Sequence, residues 1–249
     1  MPDRLGYRAK WGLVTPSRNT VIETELHRIV PDGITINTAR AVREGPARWD
    51  NDAVQKKMSQ GLRAAEVPAM QELLECEPDA ILIGDGAYTF TSGENGRGLS
   101  ERYRALAGVP VITPSDAYWA AFKTLGIKRV ANLGPRRIAG DPKEFGYWDW
   151  HKSGIDLLHL AGADCVSAFD IVNLPEDRVM ALLQELKESG AEAVSATGTN
   201  FPLLRLAAEA ERWLGLPVLH INTTLAWHAL RSSGFNDRFP NFGVLLREH

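Results

Sequence analysis

Apolar residues along this chain fall into short uninterrupted runs, separated by longer stretches in which they recur every three to four positions. The runs predict strands near 10–15, 34–39, 79–84 and 109–113, then near 128–133, 163–168, 192–197 and 216–220. The stretches between them predict helices near 19–29, 53–75, 95–107 and 115–125, then near 143–160, 175–189, 202–214 and 222–232. Pro68 sits inside the 53–75 pattern and is expected to kink or split that helix. Strands alternating with helices imply parallel sheets joined by right-handed crossovers.

The pattern also repeats. Gly108-Val109-Pro110-Val111-Ile112, leading into Ser115–Ala120, is mirrored by Gly215-Leu216-Pro217-Val218-Leu219, leading into Asn222–Trp227. Asp79–Gly86 is mirrored by Glu192–Thr199, and Lys10–Pro16 by Arg129–Pro135. Three pairs in one order imply two similar α/β halves. The expected organisation is a first lobe over 1–126, a second over 127–221, and a C-terminal helix and tail over 222–249 that packs back on the first lobe. Ligands in such sheets sit beyond the C-terminal ends of the strands, near helix N-termini. That rule selects the loops at 15–20, 85–93, 134–137, 197–202 and 220–224. The expected fold is therefore α/β, with two pseudo-symmetric lobes, each a parallel sheet flanked by helices, and the site between them.

Composition narrows the class of protein without changing that picture. The chain has 249 residues, 44% of them hydrophobic and 24% charged, which is a globular balance. A formal net charge of −3 and the lack of a Lys/Arg cluster argue against nucleic acid as a partner. No apolar run approaches the roughly 20 residues that cross a bilayer. Met1–Arg4 is polar, unlike a signal peptide, so a soluble cytoplasmic protein is expected, with no membrane partner. Cys76 and Cys165 are the only cysteines, too few for a disulfide scaffold or a Cys-rich zinc site. No His/Asp/Glu grouping has metal-ligand spacing, and neither a dinucleotide fingerprint nor a phosphate loop occurs. No metal or organic cofactor is expected. A homo-oligomer is expected from base rates alone.

The selected loops carry polar chemistry. Ser17, Asn19 and Thr20 can cap the following helix or donate to an anion. Thr197, Gly198, Thr199 and Asn200 are the counterpart in the second half, with two hydroxyls, an amide and free backbone N–H groups. Asp85 follows the apolar run Ala80–Ile83. A carboxylate there either caps the next turn or, desolvated, serves as a general acid or base. Gly86, Ala87 and Tyr88 come next and are counted with the substrate-binding set. Arg136 and Arg137, or Arg40, could grip a carboxylate or remain solvated. Tyr147-Trp148-Asp149-Trp150-His151 could cover an aromatic substrate or form a dimer contact. His220 could shuttle protons or be structural, and His228 is expected to pack.

Tyr7–Thr20 followed by Glu23 and Glu25, Pro31–Ile34 with Arg40, and the closing Gly215–Val218 through Asn222 to Trp227–Arg231 resemble the maleate cis-trans isomerases. That group also contains arylmalonate decarboxylases and lies within the aspartate/glutamate racemase superfamily. The resemblance covers roughly 7–235 and implies the same pair of lobes. It also implies cysteine chemistry: one cysteine from each lobe in the racemases, a nucleophilic first-lobe cysteine in the isomerases, and a proton-donating second-lobe cysteine in the decarboxylases. Matching the segments places Asp85 at the first cysteine position and Gly198 at the second. Cys76 ends a helix and Cys165 is expected in a strand, both away from those places. A tyrosine frequent in the family falls at Arg136. Thiol chemistry is therefore not expected.

The resulting expectation is a cofactor-independent enzyme acting on a small carboxylic acid, aromatic if the Tyr147–His151 run covers the substrate, by decarboxylase- or isomerase-like acid/base chemistry. Asp85 and Thr199 are its catalytic residues. Ser17, Asn19, Thr20, Gly86, Ala87, Tyr88, Arg136, Thr197, Gly198, Asn200 and His220 hold the substrate. A hydrolase in which Asp85 activates water, and a non-catalytic carboxylate-binding protein, remain as alternatives.

Overall fold

Trp11, Leu13 and Leu82 point to one face of a sheet while Val14, Ile81 and Ile83 point to the other, so both faces must be covered. The computed structural model, which describes residues 3–48, 52–86, 94–135 and 154–249, meets that demand with helices on either side. The first lobe contains β1 (Ala9–Pro16), α1 (Ile22–Ile29), β2 (Ile34–Ala41), α2 (Asp52–Leu74), β3 (Ala80–Ile83), α3 (Glu94–Ala107), β4 (Val111–Ile112) and α4 (Pro114–Leu125). Next come β5 (Arg129–Gly134), β6 (Asp156–Gly162), α5 (Ala168–Val172), α6 (Glu176–Lys187), β7 (Ala193–Ala196), α7 (Leu204–Leu214) and β8 (Val218–His220). Helices α8 (Ile221–Ser232) and α9 (Val244–Glu248) close the chain.

Both sheets are parallel and share one topology. The strand orders are β2-β1-β3-β4 and β6-β5-β7-β8, so the repeated sequence segments occupy equivalent strands. Helices α2 and α3 cover the outer face of the first sheet, and α6 and α7 that of the second. Between the sheets, α1, α4 and α8 form a continuous core with Trp11, Leu13 and Leu82 of one sheet and Val130, Ala193 and Leu219 of the other. Helix α8 lies against α4 and α1, and the tail beyond it is clamped to the start of β1 by a bidentate Arg8–Asp237 pair at 2.9 and 2.5 Å. Tyr118 of α4 reaches across to the second sheet. Its hydroxyl shares one proton between the carbonyl oxygens of Ala196 and Leu219, at 3.0 and 2.9 Å.

Three expectations are corrected. Helix α2 runs unbroken through Pro68. Pro68 and Ala64, whose carbonyl loses its donor there, are both exposed, so the lost hydrogen bond lies on the solvent side of the helix. Strand β6 replaces the C-terminal part of the helix predicted over 143–160, and a loop running into α5 replaces the strand predicted over 163–168. The Leu157-Leu158-His159-Leu160 run reads as helix by propensity. Pairing with β5 makes it an edge strand, with Leu157 buried and Leu158 turned outward. Cys165 consequently lies in the loop after β6 and not in a strand.

Candidate functional site

The loop after β1 is fixed by Asn19. Its Oδ1 accepts the backbone N–H groups of Val21 and Ile22 at 2.9 and 3.1 Å, ahead of α1. Its Nδ2 donates 2.9 Å to Thr199 Oγ1 in the other lobe. Thr20 is exposed and joins this junction through its backbone N–H, 2.9 Å from Asn200 Oδ1. Ser17 is half-buried, its Oγ accepting the Arg43 N–H at 3.0 Å. Arg40 is committed to the Asn19 carbonyl and to Glu23, both at 2.7 Å, and holds the loop in place. Thr15, at the end of β1, is fully buried, and its Oγ1 has no hydrogen-bond partner among the described residues.

The loop after β7 meets it from the second lobe. Thr197 is buried beside Asn132 and the Leu133 carbonyl, each at 3.4 Å, which leaves both interactions weak. Gly198 has φ +109, a conformation strained for any L side chain, and a Cβ there would lie 3.0 Å from Pro135 Cγ. The N–H groups of Gly198 and Thr199 make no backbone hydrogen bond among the described residues. Thr199 Oγ1, besides accepting from Asn19, donates 2.7 Å to the Gly84 carbonyl. Its single proton is therefore already placed. Asn200 Nδ2 donates to the Ala168 carbonyl at 2.9 Å. Thr199 and Asn200 thus serve first as braces between lobes.

Beneath the junction lies a buried polar cluster. Glu25 of α1 accepts the Leu204 N–H at 2.9 Å and Asn222 Nδ2 at 2.7 Å, and that amide also lies 3.1 Å from the Thr199 carbonyl. His220 is fully buried, with Nδ1 3.7 Å from Glu25 Oε2. Burial pushes its pKa down against the pull of Glu25, so it stays neutral. Its carbonyl accepts the hydroxyls of Thr223 and Thr224, both at 2.8 Å. His220 is thus a neutral imidazole closed off from solvent, and neither ring nitrogen has a hydrogen-bond partner among the described residues.

The loop after β3 completes the arrangement. Gly84 packs so closely that a Cβ would meet the Val14 carbonyl at 3.0 Å and Ile22 at 3.1 Å. Asp85 follows it, half-buried, and Gly86 is buried. The Asp85 charge is felt at Glu66 of α2, which is 4% exposed and accepts a hydrogen bond from Tyr103 of α3. Burial first, and the Asp85 charge second, push the Glu66 pKa up to about 8. Burial and Glu66 push the Tyr103 phenol up as well.

Ala87, Tyr88, Arg136 and Arg137, and the Tyr147–His151 segment, lie outside the described residues. Among the described residues no group of three or more His, Cys, Asp or Glu is placed to hold a metal ion. The Cys165 thiol is buried and raised to about 11, chiefly by burial and then by Asp170, so it is protonated and a poor nucleophile at neutral pH. Cys76 is exposed, just beyond α2. Sequence reasoning missed Thr15, Glu25, Glu66, Tyr103 and Asn222 as site-forming groups. For Glu66 a signal existed: it interrupts the buried stripe Leu62, Ala69, Met70 and Leu73 of α2.

No protein-family model matches the chain. It is 23% identical to a maleate isomerase of Geobacillus stearothermophilus over 249 residues, covering 94% of this chain and 96% of that protein. It is 25% identical to a maleate isomerase of Nocardia farcinica over 244 residues, covering 95% of each. Among solved structures, a Nocardia farcinica maleate cis-trans isomerase mutant with a covalently bound succinylcysteine intermediate superposes with a TM-score of 0.81 at 22% identity, covering 96% of this chain and 98% of that one. Arylmalonate decarboxylase superposes with a TM-score of 0.74 at 16% identity, covering 95% and 98%. Similarity along almost the whole chain to maleate isomerases, and the fold shared with them and with arylmalonate decarboxylase, support the grouping of this chain with those enzymes in the aspartate/glutamate racemase superfamily.

Proposed function

We propose that this chain is a cofactor-independent enzyme that moves a proton on a small carboxylic acid, in the manner of an isomerase or decarboxylase. Its relatives are named maleate isomerases and arylmalonate decarboxylase, and these names supply the substrate class. The observation that carries the reading is the Asn19–Thr199–Gly84 hydrogen-bond chain. It ties together the loops after β1, β7 and β3, and Asp85 directly follows Gly84.

In this reading the substrate carboxylate lies against the N–H groups of Gly198 and Thr199, with the buried Thr15 hydroxyl as a further donor. Such donors stabilise the enediolate formed by either proton removal or loss of carbon dioxide. Asp85 removes or returns the proton at the α-carbon. Thr199 acts on catalysis through position, because its own proton is given to Gly84. No cysteine occurs in the loops at 15–20, 84–86 or 197–202, so a carboxyl group replaces the thiol of the relatives.

The test is incubation with phenylmalonate in deuterium oxide, followed by proton NMR. Phenylacetate carrying deuterium at the α-carbon, lost in Asp85→Asn, is expected. Turnover unchanged by Asp85→Asn sinks the role of Asp85. Binding of small mono- and dicarboxylates without any turnover favours a non-catalytic binding protein. Entry of oxygen from labelled water into the product favours a hydrolase.

A further inference from the structure

Glu66 is a buried carboxyl group with no part in the lobe junction. It sits on the inner face of α2, and the hydroxyl of the fully buried Tyr103 on α3 donates to its Oε2. Ile81 and Ile83 of β3 enter the same core as Leu62, Met70 and Tyr103, whereas Ala80 and Leu82 enter the opposite one. Beyond the strand the alternation holds for Gly84, where a Cβ would meet Ile22 and Leu13 of the opposite core, so Asp85 next to it leaves on the α2–α3 side, and its charge reaches Glu66. Among the described residues, the charged and titratable groups facing Glu66 are Arg63 on its own helix, Tyr103 and Arg102 on α3, and Asp85 beyond β3.

We propose that Glu66 is a positioning residue for Asp85: the two carboxyl groups, with Tyr103 holding Glu66, form one acid pair that keeps a proton beside the loop after β3. The inference rests on the reading of Asp85 as the proton-transfer group. Two neighbouring carboxyl groups in a poorly solvated place do not both ionise. Glu66 is the more deeply buried of the two, so it is the one that keeps a proton. Burial, then the Asp85 charge, favour the protonated form of Glu66, against the Tyr103 hydrogen bond and the charges of Arg63 and Arg102. The balance leaves Glu66 neutral up to about pH 8, holding a proton beside Asp85. Above it, Glu66 ionises and a buried charge develops there.

Carboxyl-carbon NMR titration of the full chain, with labelled Asp and Glu, tests the pair without reference to turnover. One Glu signal titrating near pH 8 is expected in the wild type and absent in Glu66→Gln, which keeps an acceptor for Tyr103. In Asp85→Asn the same signal is expected to titrate lower, its proton affinity weakened about tenfold. An unchanged Glu66 midpoint in Asp85→Asn overturns the proposal, and that variant keeps it testable even if Glu66→Gln fails to fold. Where phenylmalonate is turned over, the basic limb of kcat/KM near pH 8 is expected to vanish in Glu66→Gln, and its persistence also overturns the proposal. Failure to turn over phenylmalonate, with the titrations as expected, counts against the proposed function and leaves the acid pair standing.

Discussion

Thr199→Val is the sharpest perturbation of the lobe junction. Valine keeps the shape of threonine and removes one oxygen, which accepts from Asn19 Nδ2 at 2.9 Å and donates to the Gly84 carbonyl at 2.7 Å. Both partners are buried, so no water replaces the lost contacts. Each buried group left unpaired costs roughly 1–3 kcal/mol, so a total loss of about 2–4 kcal/mol is expected after partial relaxation. In a chain of this length each kcal/mol lowers Tm by about 2–4 °C, which puts the midpoint roughly 5–15 °C lower. Calorimetry with urea unfolding measures it. Thr199→Ser is the control, because it keeps both hydrogen bonds and gives up only a methyl group worth about 1 kcal/mol. A double-mutant cycle with Asn19→Ala should give a coupling on the order of 1 kcal/mol. A loss for Thr199→Val below about 0.5 kcal/mol, or one no larger than that of the serine variant, refutes the idea that this hydroxyl braces the two lobes.

Four further outcomes follow from the same geometry. Glu25→Ala strands the Leu204 N–H and the Asn222 amide and should cost about 2–4 kcal/mol in urea unfolding. Gly198→Ala forces a side chain onto φ +109 and against Pro135, so a loss of about 1–3 kcal/mol is expected, with weakened carboxylate binding by calorimetry. Glu66 holds its proton to about pH 8 when folded against an ordinary value of 4.5. Between these limits the folded state binds more protons than the unfolded one, so stability falls as pH rises, by at most on the order of 5 kcal/mol, and Glu66→Gln should flatten that slope. Glu211→Ala frees the N–H groups of Val218 and Val244 and should expose α9 to carboxypeptidase digestion.

What the sequence disclosed divides along a physical line. Buried strands such as Ala80–Ile83 and Val130–Leu133 announce themselves, because a parallel strand covered on both faces must be apolar throughout. Edge strand β6 does not, since half of its side chains meet solvent and its leucines favour helix. Five-residue α5, capped by Ser167, is too short to show periodicity. The polar loops at 15–20 and 197–202 were legible as a set, yet their hydrogen bonds were not. Asn19 reads from sequence as a helix cap or a donor to an anion, and it does cap α1, but its bond to Thr199 in the other lobe has no sequence signal. The distance of 180 residues between them hides the pairing. Glu66 and Tyr103 lie 37 residues apart, and only the packing of α2 on α3 makes them neighbours.

The matched lobes carry unmatched chemistry, and that asymmetry follows from the backbone. In the repeat, Asp85 and Gly198 occupy equivalent positions after equivalent central strands, β3 and β7. At the first, the backbone accepts a side chain, and the charge of Asp85 there reaches Glu66. At the second, φ +109 and the nearby Pro135 ring exclude a side chain, and what remains at the strand end is bare N–H. A mechanism with two proton carriers on opposite faces of a substrate needs side chains at both places, and this backbone offers one. The arrangement instead suits a reaction in which one lobe moves the proton and the other stabilises the charge. Restoring a thiol at Gly198 alone should therefore fail to create racemase activity, whereas Asp85→Cys, placed where the first-lobe loop already accepts a side chain, should yield an alkylatable thiol. Iodoacetamide labelling read by mass spectrometry checks this. Faster labelling in Gly198→Cys than in Asp85→Cys would show that the second loop relaxes to accept a side chain, and the argument from backbone geometry would fail.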